Sequence, residues 1–277
     1  MSTLVSARSH AEKGRSVTSR TGKILPKGWP DFLFQLGLFV VADIFYELSR
    51  TLAKGNIAAA FVHARDIVHV EKSLGVFTEL DVQKFALSHT WLLSIADFTY
   101  FHAHFAITVL FMFWLYLRRN HYYYFVRNII FAANILALIG YISYPAAPPR
   151  MLTDLGFTDT LERFATLNHD SGVIALLANP FAAVPSLHTC YALIIGITCF
   201  YLLPWRWFRI LALFYPVLIV FSIVATGNHF WTDAVLGAVV ASIALGAAWL
   251  IERRWPSLPE SARKRLHVES ASEPATA

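Results

Sequence analysis

The chain has 277 residues, 56% of them hydrophobic and only 15% charged, with a mean hydropathy of +0.51. An ordinary soluble domain carries roughly 25% charged residues, so this composition excludes a water-soluble enzyme and a disordered protein. A net charge of +5 and a pI of 9.2 would suit a nucleic-acid reader, but the Lys and Arg residues fall in short clusters between apolar runs; that is the pattern of a polytopic membrane protein, with no nucleic-acid partner.

Residues 1–28 hold Arg8, Lys13, Arg15, Arg20, Lys23 and Lys27 without an apolar stretch, and are expected to be a disordered cytosolic basic tail with no cleavable signal peptide. A spanning helix needs roughly 20 mostly apolar residues. Six segments meet that need, at about 31–53, 95–117, 122–144, 186–203, 208–226 and 229–251. Between the first two, residues 54–94 mix Asp66, Glu71, Glu79 and Asp81 with periodic Ile67, Val70, Leu74 and Phe77. That mixture predicts one or two amphipathic helices at the outer interface. Residues 256–277 are polar and predict a disordered cytosolic tail. The expected fold is therefore all-α: a polytopic membrane protein, with a six-transmembrane-helix bundle over 29–255 and an extracytoplasmic amphipathic helical segment. Cys190 and Cys199 share one helix, about 13 Å apart at 1.5 Å per residue, too far for a disulfide.

Orientation follows from the basic residues near the helix ends. Lys23, Lys27, Arg118, Arg119, Arg127, Arg206, Arg209, Arg253 and Arg254 all fall on one side, whereas the loop 145–185 on the other side carries only Arg150 and Arg163. Both termini are thus expected in the cytosol, and the protein is expected to be integral to a membrane (the plasma membrane, in a bacterium). Trp29, Trp114, Trp205, Trp207, Trp249 and Trp255 mark the inner boundary.

On this topology the outer ends of three spans collect polar residues: Tyr144–Arg150, Asn179–His188 and Thr226–Asp233. His229 and Asp233 are four apart, so on a helix they share a face. A carboxylate there fixes the imidazole tautomer and makes the other ring nitrogen more basic. An acid one turn inside an apolar span is expensive and ordinarily has a partner. Ser186 is suited to cap the fourth span, and Gly227 with Asn228 the sixth. The amides of both helix starts, including that of Leu187, would then face outward and bind an anion, phosphate above all. Arg150 would add a bidentate donor. Two histidines flanking a phosphate, His188 and His229, divide the labour: one attacks phosphorus and the other protonates the leaving oxygen. Tyr100, His102 and His104 start the second span on the outer side; they fit solvated side chains as well as a substrate-headgroup role. His169-Asp170 reads as loop. Two rival readings stay open: a zinc site on His188, His229 and Asp233, and a transporter or proton-coupled carrier using intramembrane His and Asp. The Pro-Ser context and the nearby arginine favour phosphate over metal, and carrier sites lie near the bilayer midplane, not at one face.

At Pro185-Ser186-Leu187-His188 and His229-Phe230-Trp231-Thr232-Asp233 the chain resembles the type 2 phosphatidic acid phosphatase superfamily. That family carries Pro-Ser-Gly-His and a later Ser-Arg-(five residues)-His-(three residues)-Asp. Here Leu187 replaces the glycine, and Ile223 stands where the arginine is expected, after a matching Ser222. No Lys-(six residues)-Arg-Pro element is present, and Arg127 falls on the inner side. These departures, together with Pro145-Ala146-Ala147-Pro148-Pro149, the Ser-Leu-His motif and Glu71-(two residues)-Leu74-Gly75, resemble the branch that includes inositolphosphorylceramide synthase. The resemblance implies that His229 is the nucleophile of a phosphohistidine intermediate, His188 the acid and Asp233 the residue orienting His229. It also implies a phospholipid, polyprenyl or sphingolipid phosphate as substrate and transfer of an inositol-phosphate-type headgroup to water or an alcohol; the lack of metal ligands in the sequence beyond the proposed triad predicts a reaction with neither metal nor cofactor.

Overall fold

In hydrocarbon every backbone N–H and C=O must be paired within its own segment, so the apolar runs fold as helices. The computed structural model describes residues 25–53, 57–160, 181 and 183–265; the expectations for 1–24, for the 161–180 stretch with His169-Asp170, and for 266–277 fall outside them. In chain order the helices are α1 Gly28–Ala53, α2 Ile57–Ser73, α3 Glu79–Ser88, α4 Thr90–Arg118, α5 Asn120–Ser143, α6 Leu187–Leu202, α7 Arg206–Ala225, α8 Trp231–Arg254 and α9 Glu260–Arg265. Four of them, α4, α5, α7 and α8, are long and apolar enough to cross a membrane. Gly28–Ala42 within α1 and the whole of α6 are shorter apolar helices. Phe105, Trp207 and Val217 are 72%, 81% and 63% exposed on the outside of the bundle. A soluble monomer rarely carries such apolar area; this one is an integral membrane protein.

Two boundaries differ from those expected. The helix expected at about 95–117 starts at Thr90, because the chain breaks at His89, whose amide still closes back on the Ala86 carbonyl at 3.1 Å. The first ten residues of the expected C-terminal tail are ordered. The Glu252 carboxylate near the end of α8 accepts from the Ser257 and Leu258 amides at 2.7 Å each, and Leu258 is buried in the core.

The core divides along the helix axes. At one end Leu115, Tyr116, Tyr123, Val126, Ala244 and Ala248 pack together with Leu258. There Asp31 on α1 accepts from Tyr116 and Tyr124 hydroxyls at 2.8 Å each, and Arg127 donates to Gln35 at 2.7 Å. At the other end α2 buries one stripe, Ala60, Ala64, Ile67, Val68 and Glu71, against Ala146, Ala147, Leu152, Phe157 and Phe230. The segment after α5 is pinned there by Ala147 N to Ala60 O (2.9 Å) and Arg150 N to Gly227 O (2.8 Å).

The two motif-bearing helices, α6 and α8, meet at Gly237. A Cβ there would overlap the Ser186 carbonyl oxygen and press on Thr189 Cβ at 3.2 Å. The absence of a side chain lets α8 lie against the start of α6, where Ser186 N donates to the Asp233 carbonyl at 3.0 Å. Gly237→Ala should therefore destabilise the protein by about 1–3 kcal/mol through overpacking. Gly246→Ala, on the same helix with nothing within 4 Å, should be neutral or stabilise by about 0.5–1 kcal/mol. Thermal unfolding of the detergent-purified variants checks the pair; equal shifts would show that the Gly237 contact is not tight.

Candidate active site

The site is built around the turn between α7 and α8. Gly227 has φ +68°, and a Cβ on it would lie 2.6 Å from Gln83 Nε2, so both conformation and space demand glycine. The amides of Asn228 and His229 both donate to the Ile223 carbonyl, at 2.9 and 3.1 Å. This folds the chain back and delivers the His229 ring at the mouth of α8. His229 precedes the helix instead of lying in it, yet Nδ1 still meets Asp233 Oδ2 at 3.1 Å. Asp233 Oδ2 also accepts the Phe230 amide at 3.0 Å, and the carboxylate is fully buried.

The next two amides of α8 are taken by acids from distant helices. Trp231 N donates to Glu79 Oε1 at 3.0 Å, and Thr232 N donates to Glu71 Oε1 at 2.8 Å, joined by the Thr232 hydroxyl at 2.7 Å. This corrects the expectation of free amides at both helix starts: α8 offers none at Phe230, Trp231 or Thr232. A buried helix start must satisfy its orphan donors, and three carboxylates do so. Nor do Gly227 and Asn228 cap α8.

The start of α6 is different. Ser186 Oγ accepts from Thr189 N at 3.4 Å, a long cap, while the Leu187 and His188 amides have no partner among the described residues. The His188 ring lies with its centroid 5.7 Å from that of His229 at an interplanar angle of 59°. Behind it, Tyr100 stacks at 4.5 Å and His104 lies at 5.0 Å. His104 Nδ1 is 2.8 Å from the Tyr215 hydroxyl. A π-helical turn at Thr99–Ala103 opens this part of α4, and residues four apart share a face. So Tyr100 and His104 reach His188, whereas His102 is exposed and stacks on Phe98 at 5.7 Å.

Arg150 is buried beside the same turn. Its Nε donates to Asn228 Oδ1 at 3.0 Å and Nη1 to Asp159 Oδ2 at 2.9 Å, leaving Nη2 without a partner among the described residues. The Asn228 side chain also donates to Thr226 Oγ1 at 2.8 Å. Both the backbone and the side-chain donor of Asn228 are thus engaged within the protein, and its contact with an anion would run through Arg150. Asp233 sits behind the His229 ring, and among the described residues no three His, Cys, Asp or Glu side chains are placed to share a metal ion. The three-ligand zinc arrangement does not form.

Glu79 and Gln83 are the residues that sequence reasoning missed. Glu79 entered only as an acid of the amphipathic segment, and Glu71 there and in the family-like stretch. A signal was present: Glu71 continues the Ala64, Ile67, Val68 stripe, where a solvated acid would not fall. Both glutamates are at most 1% exposed. Burial first, then a hydrogen bond shared with Glu71, pushes the Glu79 carboxyl up to about 8. The folded protein keeps that proton where an unfolded chain, near 4.5, has released it. The stabilisation is complete below the unfolded value and is lost as pH rises through the folded one. Unfolding temperature in detergent should therefore fall between about pH 5 and about pH 9. Glu79→Gln, which keeps an acceptor for Trp231 and a donor for Glu71, should flatten that slope. An unchanged slope would show that another group carries it.

No solved structure matches the chain. It is 26% identical to the phosphoinositol dihydroceramide synthase of Bacteroides thetaiotaomicron, over 72% of this chain and 70% of that protein. A family model described as the PAP2 superfamily matches residues 65–247, and the chain belongs to that superfamily, as a membrane lipid phosphatase or phosphotransferase.

Proposed function

We propose that the protein transfers a phosphoryl-headgroup unit from a lipid through a phosphohistidine on His229, in a bundle that crosses the membrane six times with the site on the extracytoplasmic face and both termini inside. The observation that carries this reading is the pair of rings whose centroids lie 5.7 Å apart, one of them held at Nδ1 by a buried carboxylate. With Nδ1 donating to Asp233, Nε2 of His229 has its lone pair free and attacks phosphorus. The P–N bond forms as the P–O bond to the lipid alcohol breaks, and His188 gives its proton to the departing oxygen. In the second half an acceptor hydroxyl returns its proton to His188, its oxygen bonds phosphorus and the P–N bond breaks. The free amides of Leu187 and His188 and the spare nitrogen of Arg150 stabilise the charge on the equatorial oxygens. Ser186 shapes that helix start, and Asn228 aims Arg150.

Arg150 stands in for the superfamily arginine that Ile223 replaces. Ile223 is fully buried and supplies only its carbonyl to the site. The transferred unit and acceptor follow from the branch. A relative named as a phosphoinositol dihydroceramide synthase supports a phosphoinositol headgroup and a lipid alcohol acceptor, over hydrolysis by water.

The test is a panel of lipid phosphates and phospholipids offered to purified protein in micelles, scored for free phosphate and for new phospholipid. Micelles allow no transport, so turnover there also separates an enzyme from a carrier. His229→Ala should abolish turnover and His188→Ala should lower it by about 10²–10⁴-fold. Arg150→Ala should cost about a hundredfold or more. Retained turnover in both histidine variants would overturn the site; new phospholipid absent while phosphate appears would make the protein a phosphatase.

A further inference from the structure

A cavity of about 710 Å³ runs inside the bundle between α1, α4, α5 and α6. Its upper end is formed by Leu187, His188, Tyr100 and His104. Below these the walls are mainly apolar, among them Phe39, Phe105, Val109, Met112, Ile130 and Phe131, while Thr108 and Asn134 each donate to a carbonyl of their own helix, at 2.8 and 2.9 Å. The far end is polar and closed on itself. Gln35 and Tyr116 line it; Gln35 receives Arg127 at 2.7 Å and donates to Asp31 at 3.2 Å, and Tyr116 donates to Asp31 at 2.8 Å. None of these floor groups needs a further partner, and a hydrocarbon chain gains nothing by pressing on them.

The cavity touches His188 but not His229, Asp233 or Arg150. The two flanks of the site are therefore chemically unlike. Arg150, Asn228 and Asp159 face the phosphorus side with polar groups, whereas His188 looks into an apolar shaft. Val109 and Phe105 of α4 and Val40 of α1 line the shaft while 37%, 72% and 51% exposed at the outer surface of the bundle. The seam between α1 and α4 is thus open to the bilayer's hydrocarbon, and a chain can slide in sideways.

We infer that this shaft is a length-limited slot for one hydrocarbon chain of the lipid alcohol whose oxygen His188 serves, ending at the Gln35–Asp31–Tyr116 floor. This deepens the transfer reading and rests on it for the role of His188. Leaving alcohol and acceptor alcohol both exchange a proton with His188, so both place a chain in the same shaft, one after the other, while the headgroup stays on the Arg150 side. The depth is set by α4. His104 and Tyr116 bound the shaft twelve residues apart, about 18 Å at 1.5 Å per residue. With zigzag carbon–carbon bonds of about 1.5 Å, that depth takes roughly fourteen carbons. Met112 is buried two turns below His104 and sets the width of the lower half.

Two measurements on the full-length protein in micelles test this. The first is thermal stabilisation by straight-chain primary alcohols from eight to eighteen carbons, which involves no phosphorus chemistry. Apparent affinity should rise about fourfold per methylene and stop rising near fourteen carbons. Met112→Trp should bring the break to a shorter chain and Met112→Ala should move it to a longer one, so the alanine variant still tests the slot if the tryptophan variant misfolds. Val217→Trp, on the lipid-facing side of α7 away from the shaft, should leave the break where it is. The second is transfer measured with lipid alcohol acceptors of the same lengths, where kcat/KM should break at the same carbon number. A break that ignores both Met112 variants, or affinity that keeps climbing through eighteen carbons, overturns the slot. A normal break in alcohol binding with no turnover on any lipid overturns the transfer reading and leaves the slot standing. A break in binding with kcat/KM indifferent to acceptor length shows that the chain bound is not the one His188 serves, and overturns the assignment to the alcohol.

Discussion

The start of α8 is held by three carboxylates on three consecutive amides, and the placement of His229 depends on that arrangement. Asp233, Glu79 and Glu71 take Phe230, Trp231 and Thr232 in turn. Taking carboxylates out of water is expensive, and isolated they would not remain. Here the positive end of the helix dipole and the orphan donors of the first turn offset part of that burden, and burial, by raising the Glu79 carboxyl, favours its neutral form. The same bonds clamp α2 and α3 onto α8. The α2–α3 segment is therefore part of the site's frame: removing it would leave buried N–H groups unpaired and free the His229 turn to move.

The frame separates two environments a few ångströms apart. On the α8 side hydrogen bonds tie the groups together: the Arg150 amide to the Gly227 carbonyl, Arg150 Nε to Asn228, Arg150 Nη1 to Asp159. On the α4 side the neighbours of His188 are rings, Tyr100 stacked and His104 tilted against it, without hydrogen bonds to it among the described residues. A group that must accept and release a proton during turnover works best with its nitrogens uncommitted, whereas a nucleophile works best with one nitrogen tied down. In the proposed mechanism the two histidines stand in those two situations. The difference follows from which helices surround them, α8 with its acids for one and the π-turn of α4 for the other.

Much of the fold was legible because a bilayer leaves little choice. The runs at 122–144 and 208–226 became α5 and α7 within two residues at each end, since an apolar segment of that length can satisfy its backbone only as a helix. The contact between His229 and Asp233 was legible from a spacing of four. What stayed hidden joins residues far apart. Glu79 and Glu71 lie 152 and 161 positions from the amides they accept. In a segment mixing apolar and charged residues, periodicity places an acid on a face without revealing what that face meets. The expectation of free amides on α8 failed for this reason. Local sequence shows that a helix start needs acceptors; only the tertiary fold shows that α2 and α3 bring them. The ordered stretch after Arg254 was hidden likewise, because Glu252 looks solvated until Ser257 and Leu258 turn back onto it.

The displaced arginine links these observations. An arginine at position 223 would sit on α7, in the apolar packing with Ala192, Ile219 and Ala234 that Ile223 now occupies. On the proposed reading the cation comes instead from the segment after α5: Arg150, held by its own amide on the Gly227 carbonyl and by Asp159 on its guanidinium. That position answers the electrostatic difficulty the three carboxylates create. Negative charge clustered behind His229 repels an incoming phosphate, and in a low-dielectric surround the repulsion is weakly screened. The raised Glu79 carboxyl weakens the repelling field at its source. Arg150 sits between the turn and Asp159, on the flank where the headgroup would lie, and so opposes what field remains. On α7, Tyr215 braces His104 beneath His188, and among the described residues no Lys, Arg, Asp or Glu lines the shaft from His104 down to its floor.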